Sequence, residues 1–253
     1  VFEDLIAMNA LYRPGPMDSI PLYAKRKLGQ EKITYEHPVL EPILKETYGI
    51  IVYQEQIMQI ASQMAGFTFG EADLLRRAVS KKNREILQQE RVHFVQKALQ
   101  QGHTSEAATA VYDLIVRFAD YGFPKSHAVA YSIISYQMAY LKAHFPLEFY
   151  CALLTTSAGN QEKVNQLIME MKLKGIEILA PSIYTSQAFF TVDKPSIRFG
   201  LQAIKGVSHS FVQKLIQQRT KRTSKWEDMF DFASDLTATY FTRKNIEPLV
   251  KAG

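Results

Sequence analysis

Gly122-Phe-Pro-Lys-Ser-His-Ala-Val-Ala-Tyr-Ser132 decides how this chain is read. Pro124 disfavours helical backbone at Phe123. A new helix is therefore predicted just after it, with Ser126 as N-cap and an end near Ala143. Val129, Ala130, Ile133, Ile134, Met138 and Leu141 place apolar groups on nearly every side of that helix. A helix that is apolar all round belongs in an interior, so this one is expected to be central and buried. Its start offers unpaired N–H groups and the positive end of the helix dipole, which suits an anion. Lys125 and His127 flank the cap and add charge and donors. The plainer reading of the same residues is an ordinary capped helix with a solvated lysine.

Helical spacing dominates on both sides of this stretch. Upstream, Thr104-Ser-Glu-Ala107 opens a helix through Val111, Ile115 and Phe118, and another over about 84–101 ends at Gly102. A third starts at Thr68 or Gly70, with Leu74, Leu75 and Ala78 on one face and Asp73, Arg76, Arg77 and Ser80 on the other. Ile57, Ile60, Ala61 and Met64 recur at helical spacing up to Gly66. Gly49-Ile-Ile-Val-Tyr53 is either a short strand or the entry to a buried helix. Leu11-Tyr-Arg-Pro-Gly-Pro-Met17 is a rigid loop. Downstream, Pro146 starts a helix through Leu154 and Asn160 caps one from Gln161 to Lys174. Past Gly175, the segments Ile176–Leu179, Ala188–Val192 and Ser196–Gly200 alternate or run apolar. Helices resume at about 210–218, 226–233 and 243–250. The expected fold is mainly α: a multi-helix domain, then a small α+β subdomain with a short β excursion.

With 253 residues, 47% of them hydrophobic, the chain can bury a proper core. A net charge of +5 is compatible with a polyanionic partner. Cys151 is the single cysteine, which excludes an internal disulfide and a multi-cysteine metal site. Its apolar neighbours predict a buried, inert thiol. No stretch approaches a membrane span, and the start has no signal-peptide pattern. The chain opens inside an apparent helix and stops abruptly, as a piece of a longer polypeptide would.

Three basic regions could carry chemistry. Arg76, Arg77, Lys81, Lys82 and Arg84 lie on one helix face and the loop after it. Arginine offers paired donors to phosphate and lysine a point charge; a solvated face with an Asp73–Arg77 pair is the alternative. Ala203-Ile-Lys-Gly-Val-Ser-His209 looks like the hairpin of a helix–hairpin–helix, which turns backbone N–H groups towards a phosphate; a simple surface loop reads equally well. Arg219, Lys221, Arg222 and Lys225 form a second basic strip. Two-metal polymerases and nucleases need converging carboxylates, yet no Asp-x-Asp pair occurs. Asp231 and Asp235 are read as solubilising. There is no Gly-rich phosphate loop, and the histidines lack ligand spacing.

Six motifs in order nevertheless make the chain resemble the alpha subunit of bacterial DNA polymerase III, the C-family replicative polymerase. They are Leu11–Met17, Tyr48-Gly-Ile-Ile-Val-Tyr-Gln-Glu-Gln-Ile-Met58, Ala72–Ala78 with Lys81-Lys82, Tyr121–Tyr131, Tyr140–Phe149 and Ile197–Gly206. The resemblance implies the fingers region, which closes over the incoming dNTP and the templating base. It implies three parts: 1–17 as the end of the palm and the palm–fingers junction, 18–178 as the helical fingers core, and 179–253 as the small subdomain with the helix–hairpin–helix-like element. The parent would be a DNA-directed DNA polymerase. Its catalytic aspartates and Mg2+ would belong to the palm upstream, so this segment should be inactive alone and holds no metal. A tandem DNA-binding motif would lie downstream.

On this resemblance Arg76, Arg77, Lys125, Ser126 and His127 would hold the dNTP phosphates. Lys81 and Lys82 would help or touch the template backbone, and Arg13 would sit at the palm–fingers junction. Tyr131 would stack near the nascent pair or simply fill the core. Lys205, Gly206 and Ser208 would face a DNA backbone. The implied partners are dNTP, primer–template DNA and, through other regions, further replisome subunits, in the bacterial cytoplasm. The rival reading is a non-enzymatic helical scaffold for nucleic acid or protein. Two departures stand out. Pro124 replaces a frequent family Asn, and Ser208 replaces the second glycine of the family's Lys-Gly-Val-Gly hairpin, which would hinder a close backbone approach to phosphate.

Overall fold

The computed structural model describes residues 1–80, 84–119 and 122–252. Among them are thirteen α-helices and one three-stranded sheet, a mainly α fold with a small β excursion. The chain forms two compact units, Val1–Tyr136 and Gln137–Gly253, and each is described by itself.

The first unit carries α1 (Phe2–Leu11), α2 (Ile20–Lys27), the short α3 (Glu41–Leu44), α4 (Gln54–Ala65), α5 (Phe69–Ser80), α6 (Arg84–Gln100) and α7 (Ser105–Ala119). It also holds the first part of α8 (Lys125–His144). Local chemistry sets several boundaries. Gly66 turns left-handed at φ 64° and stops α4, as only a residue without Cβ does at little cost. Thr68 and Glu71 form a reciprocal cap at the entry to α5: the Thr68 N–H donates to Glu71 at 2.7 Å and the Glu71 N–H to Thr68 Oγ at 3.3 Å. The Thr104 hydroxyl accepts from the Ala107 N–H at the entry to α7.

Helices α4 to α7 bury the larger core, built on Ile57, Ile60, Met64, Leu75, Phe94 and Ile115. Burying an aliphatic chain of this size contributes about 1.5–3 kcal/mol each. Leu74 was expected on the same face as Leu75, but it points outward. Three and four residues separate the true inner positions Ala72, Leu75 and Val79, and Leu74 falls off that stripe. A second core joins Ile6, Ala10 and Leu11 of α1 to Tyr23, Ile50, Val52, Tyr53 and Ala128. The run Gly49–Tyr53 is extended and buried; it forms no strand, only a single parallel bridge from Tyr53 to Phe123.

Helix α8 departs from expectation twice. It begins at Lys125, and the Pro124 carbonyl accepts from the Ala128 N–H, so Pro124 is the capping position and Ser126 lies inside the first turn. Proline suits this place because its carbonyl is still available while its missing N–H is not needed. The helix is also not buried all round. Ala128 and Ser132 are its buried residues, while Tyr131, Ile133, Ile134, Tyr136, Met138, Tyr140 and Leu141 are exposed.

The second unit continues with α9 (Pro146–Ser157) and α10 (Gln161–Leu173), the latter capped by Asn160, whose side chain accepts from the Lys163 N–H at 3.0 Å. Strands β1 (Ile178–Leu179), β2 (Thr191–Asp193) and β3 (Ser196–Arg198) follow. β3 is central, parallel to β1 and antiparallel to β2. Tyr150, Leu154, Leu167 and Met171 pack with Phe190 and Ile197 of this region. Cys151 is half-buried rather than buried, with its thiol donating to the Phe190 carbonyl; desolvation raises its pKa.

Three further helices close the unit: α11 (His209–Lys221), α12 (Met229–Asp235) and α13 (Arg243–Ala252). Their core is Phe211, Leu215, Trp226 and Phe232. The α12 start falls later than predicted because Asp228 caps it, accepting from the N–H groups of Phe230 and Asp231. Asp231 and Asp235 are not mere solubilisers. Both pair with Arg222, at 2.6 and 2.7 Å, and Asp235 also accepts from Trp226 Nε1 at 2.7 Å. Arg219 donates to the carbonyls of Ile183 and Ser186. Two of the four cations in the supposed second basic strip are thus tied into the fold.

Candidate anion-binding site

Two helix starts are fastened side by side in the first unit. Just before α4 and α8, the Phe123 N–H donates to the Val52 carbonyl and the Gln54 N–H to the Phe123 carbonyl, both at 3.1 Å. These bonds form the parallel bridge between Tyr53 and Phe123. The Gln56 side chain closes the α4 entry by accepting from the N–H groups of Val52 and Tyr53. The bottom of α8 is held from the other side by Asn9 of α1, whose amide donates to Ser132 Oγ at 2.7 Å.

Around this junction the sequence-predicted cations gather. The Arg76 guanidinium reaches from α5 to Gln54 Oε1 at 3.0 Å, and Gln54 Nε2 continues to the Gly122 carbonyl at 3.2 Å. Asp73 holds both arginines of the pair, Arg76 at 2.7 Å and Arg77 at 2.8 Å. The Arg76 hydrogen bond, with Arg77 beside it, keeps the Asp73 carboxyl below its usual pKa. Lys125 stands one residue past the α8 cap. Its ammonium lies 2.8 Å from both Glu46 oxygens and 5.3 Å from the centre of the Tyr53 ring. Its backbone N–H donates to both Glu55 oxygens at 3.0 Å. Burial, with Glu46 and Glu55 next, raises the Tyr53 pKa.

Arg76 and Lys125 therefore meet at consecutive residues, Gln54 and Glu55, of one helix start. The site already holds anionic oxygens: a carboxylate sits against the first N–H of α8 and a second on its lysine. This is the arrangement that helix-end N–H groups and a cation offer to any anion. Sequence reasoning passed over Glu46, Gln54 and Glu55. The signal for Gln54 and Glu55 was their place in the first turn of α4; nothing local marked Glu46.

The remaining candidates divide. Ser126 and His127 are exposed in the first turn of α8. His127 takes part in an aromatic row: its ring is 5.3 Å from Phe123 and 4.6 Å from Tyr131. The Arg13 guanidinium covers the other end at 4.7 Å from the Phe123 ring, and its Nε donates to the Ala10 carbonyl. Tyr131 is exposed rather than part of the core. Lys81 and Lys82 lie outside the described residues, as does the side chain of Arg84.

Lys205, Gly206 and Ser208 belong to the second unit. Gly206 is left-handed at φ 94°, and both it and Lys205 are exposed. One 3-10 turn (Leu201–Ala203), not a full helix, precedes the hairpin. Ser208 caps α11 by accepting from the Phe211 N–H at 3.4 Å, which gives the departure from glycine a local role. Among the described residues no group of three or more His, Cys, Asp or Glu is placed to hold a metal, and no helix is long and apolar enough to cross a membrane.

Residues 1–102 match the family described as the bacterial DNA polymerase III alpha subunit finger domain. Residues 175–253 match the helix–hairpin–helix motif family, so such an element lies within the chain and not only downstream of it. The chain is 53% identical over 251 residues to a DNA polymerase III subunit alpha of Bacillus subtilis, covering 99% of this chain and 22% of that one. It is 52% identical over its full length to the subunit of the same name from Halalkalibacterium halodurans, and 48% to that of Staphylococcus aureus, covering 22% and 24% of them. The chain thus spans less than a quarter of the length of these relatives.

Proposed function

Since the chain belongs to the bacterial DNA polymerase III alpha-subunit family as a segment of it, we propose that it is the fingers region that binds the incoming dNTP and template during DNA synthesis. Residues 1–17 would join it to the palm, 18–178 form the fingers core, and 179–253 meet DNA through the hairpin. The parent reaction is nucleotidyl transfer: the primer 3′ oxygen attacks the α-phosphorus, and pyrophosphate leaves. The segment's share is electrostatic. Arg76, Arg77, Lys125 and the α8 start would hold the β and γ phosphates and stabilise charge that grows on the leaving group. His127 and Tyr131, in the aromatic row with Phe123, would present ring faces to a base. Ser126 would add a hydroxyl beside the phosphates, with Lys81 and Lys82 close by, and Arg13 would brace the junction.

One observation supports this reading above the others: Arg76 and Lys125, far apart in sequence, are both anchored on the Gln54–Glu55 helix start. The donors that converge there are cations and amides, which suits a phosphate and not a metal ion. Mg2+ would be held by the palm, and no step here passes through it. The activity, dNTP and replisome partners belong to the whole protein.

The test separates nucleotide from DNA. In the intact polymerase Lys125→Ala removes a charge-assisted bond worth about 1.5–3 kcal/mol. The KM for dNTP should rise about ten- to hundredfold, with primer–template affinity nearly unchanged. Equal losses in both would favour a helical scaffold that merely binds nucleic acid, since salt-dependent DNA binding is common to the two readings.

A further inference from the structure

Between Ala128 and Leu141, α8 runs for 14 residues without one charged side chain. Tyr131, Ile134, Met138 and Leu141 stand 56%, 54%, 42% and 43% exposed. Their spacing of three, four and three residues draws a single seam along one continuous helix. That is the spacing by which a helix receives the side chains of a second helix. α1 lies along a different face, where Asn9 bonds Ser132, Ala128 is buried and the Phe2 ring meets Tyr136 edge-on.

We infer that this seam is a docking surface for an apolar helix supplied by the same polypeptide, from a part beyond these 253 residues. Three observations carry the inference. A helix apolar on all sides is stable in a protein interior and not in water. A helix that lies on a membrane surface instead needs a strongly charged face opposite its apolar one, and α8 has none over these residues. The relatives are more than four times as long as the stretch they share with this chain, so most of the polypeptide lies outside it.

Methionine oxidation reads the seam without altering it. Met138 is on the seam, Met64 is fully buried and Met169 is exposed. In the isolated chain, Met138 should oxidise at a rate near that of Met169. In the full-length polymerase, it should slow at least about tenfold, towards the rate of Met64 in the same sample. Unchanged Met138 reactivity in the full-length protein would overturn the inference. So would protection that fades on dilution, which would mean a second copy, or protection gained only with lipid vesicles, which would mean a membrane. Ile134→Asp in the full-length protein should restore Met138 oxidation while Met64 stays protected.

Discussion

Glu55 gives both carboxylate oxygens to the first N–H of α8, and Glu46 does the same for the Lys125 ammonium. A carboxylate at that position stabilises a helix start and also competes with any incoming anion. Glu55→Ala should therefore act in opposite directions on two measurements. Urea unfolding should show a loss of about 0.5–2 kcal/mol, the usual worth of a cap. Calorimetric titration with inorganic tripolyphosphate should show tighter binding. Weaker binding would mean that Glu55 only organises the site. Glu71 offers a separate residue-scale test. Its hydrogen bond from Lys97, then those from Thr68, lower its pKa from 4.5 to about 2. A depressed carboxylate stabilises the fold above its unfolded pKa and loses that contribution as pH falls through the folded value. Glu71→Gln should thus flatten the fall in stability between about pH 4.5 and 2; an unchanged acid profile would contradict the pairing.

At the level of elements, α4 to α7 could be read directly, because their periodicity, caps and closing glycines all agree. Agreement between local signals is what makes such a segment predictable. The α8 start was legible in kind, as a helix begun by Pro124, but not in register, since proline itself can supply the capping carbonyl. The exposure of α8 was not legible. Apolar periodicity reports which faces avoid water, not which partner covers them. Arg222 with Asp231 and Asp235 escaped notice because ion pairs between separate elements leave no local pattern. Gly200 gives the sharpest element-scale prediction. A Cβ there would lie 2.4 Å from the Phe189 carbonyl carbon and 2.6 Å from the Phe190 backbone nitrogen, with no flexible side chain to yield. Gly200→Ala should destabilise the second unit by about 1–3 kcal/mol or more, seen as an earlier denaturation of Trp226 fluorescence. A transition within error of the parent would mean that the segment before α11 can shift freely.

At the scale of the molecule, the two groups of candidates fall in different units: phosphate-directed residues in the first, the hairpin in the second. Composition hinted only at a basic bias. The convergence of Arg76 with Lys125 needed the fold, because it depends on a bridge between Tyr53 and Phe123 that neither strand propensity nor spacing reveals. The isolated 253-residue chain is expected to show no primer extension on a primed template. Robust extension would place the catalytic carboxylates inside it and undo the domain assignment. The central claim is that the triphosphate tail rests on Lys125. It is tested most directly by incubating the intact polymerase and primer–template with a dNTP whose γ-phosphate carries a lysine-reactive group, then locating the adduct by mass spectrometry. The account predicts labelling of Lys125, joined at most by Lys81 and Lys82, and its loss when excess unmodified dNTP competes. Competable labelling confined to Lys205 or other lysines of the second unit would contradict it.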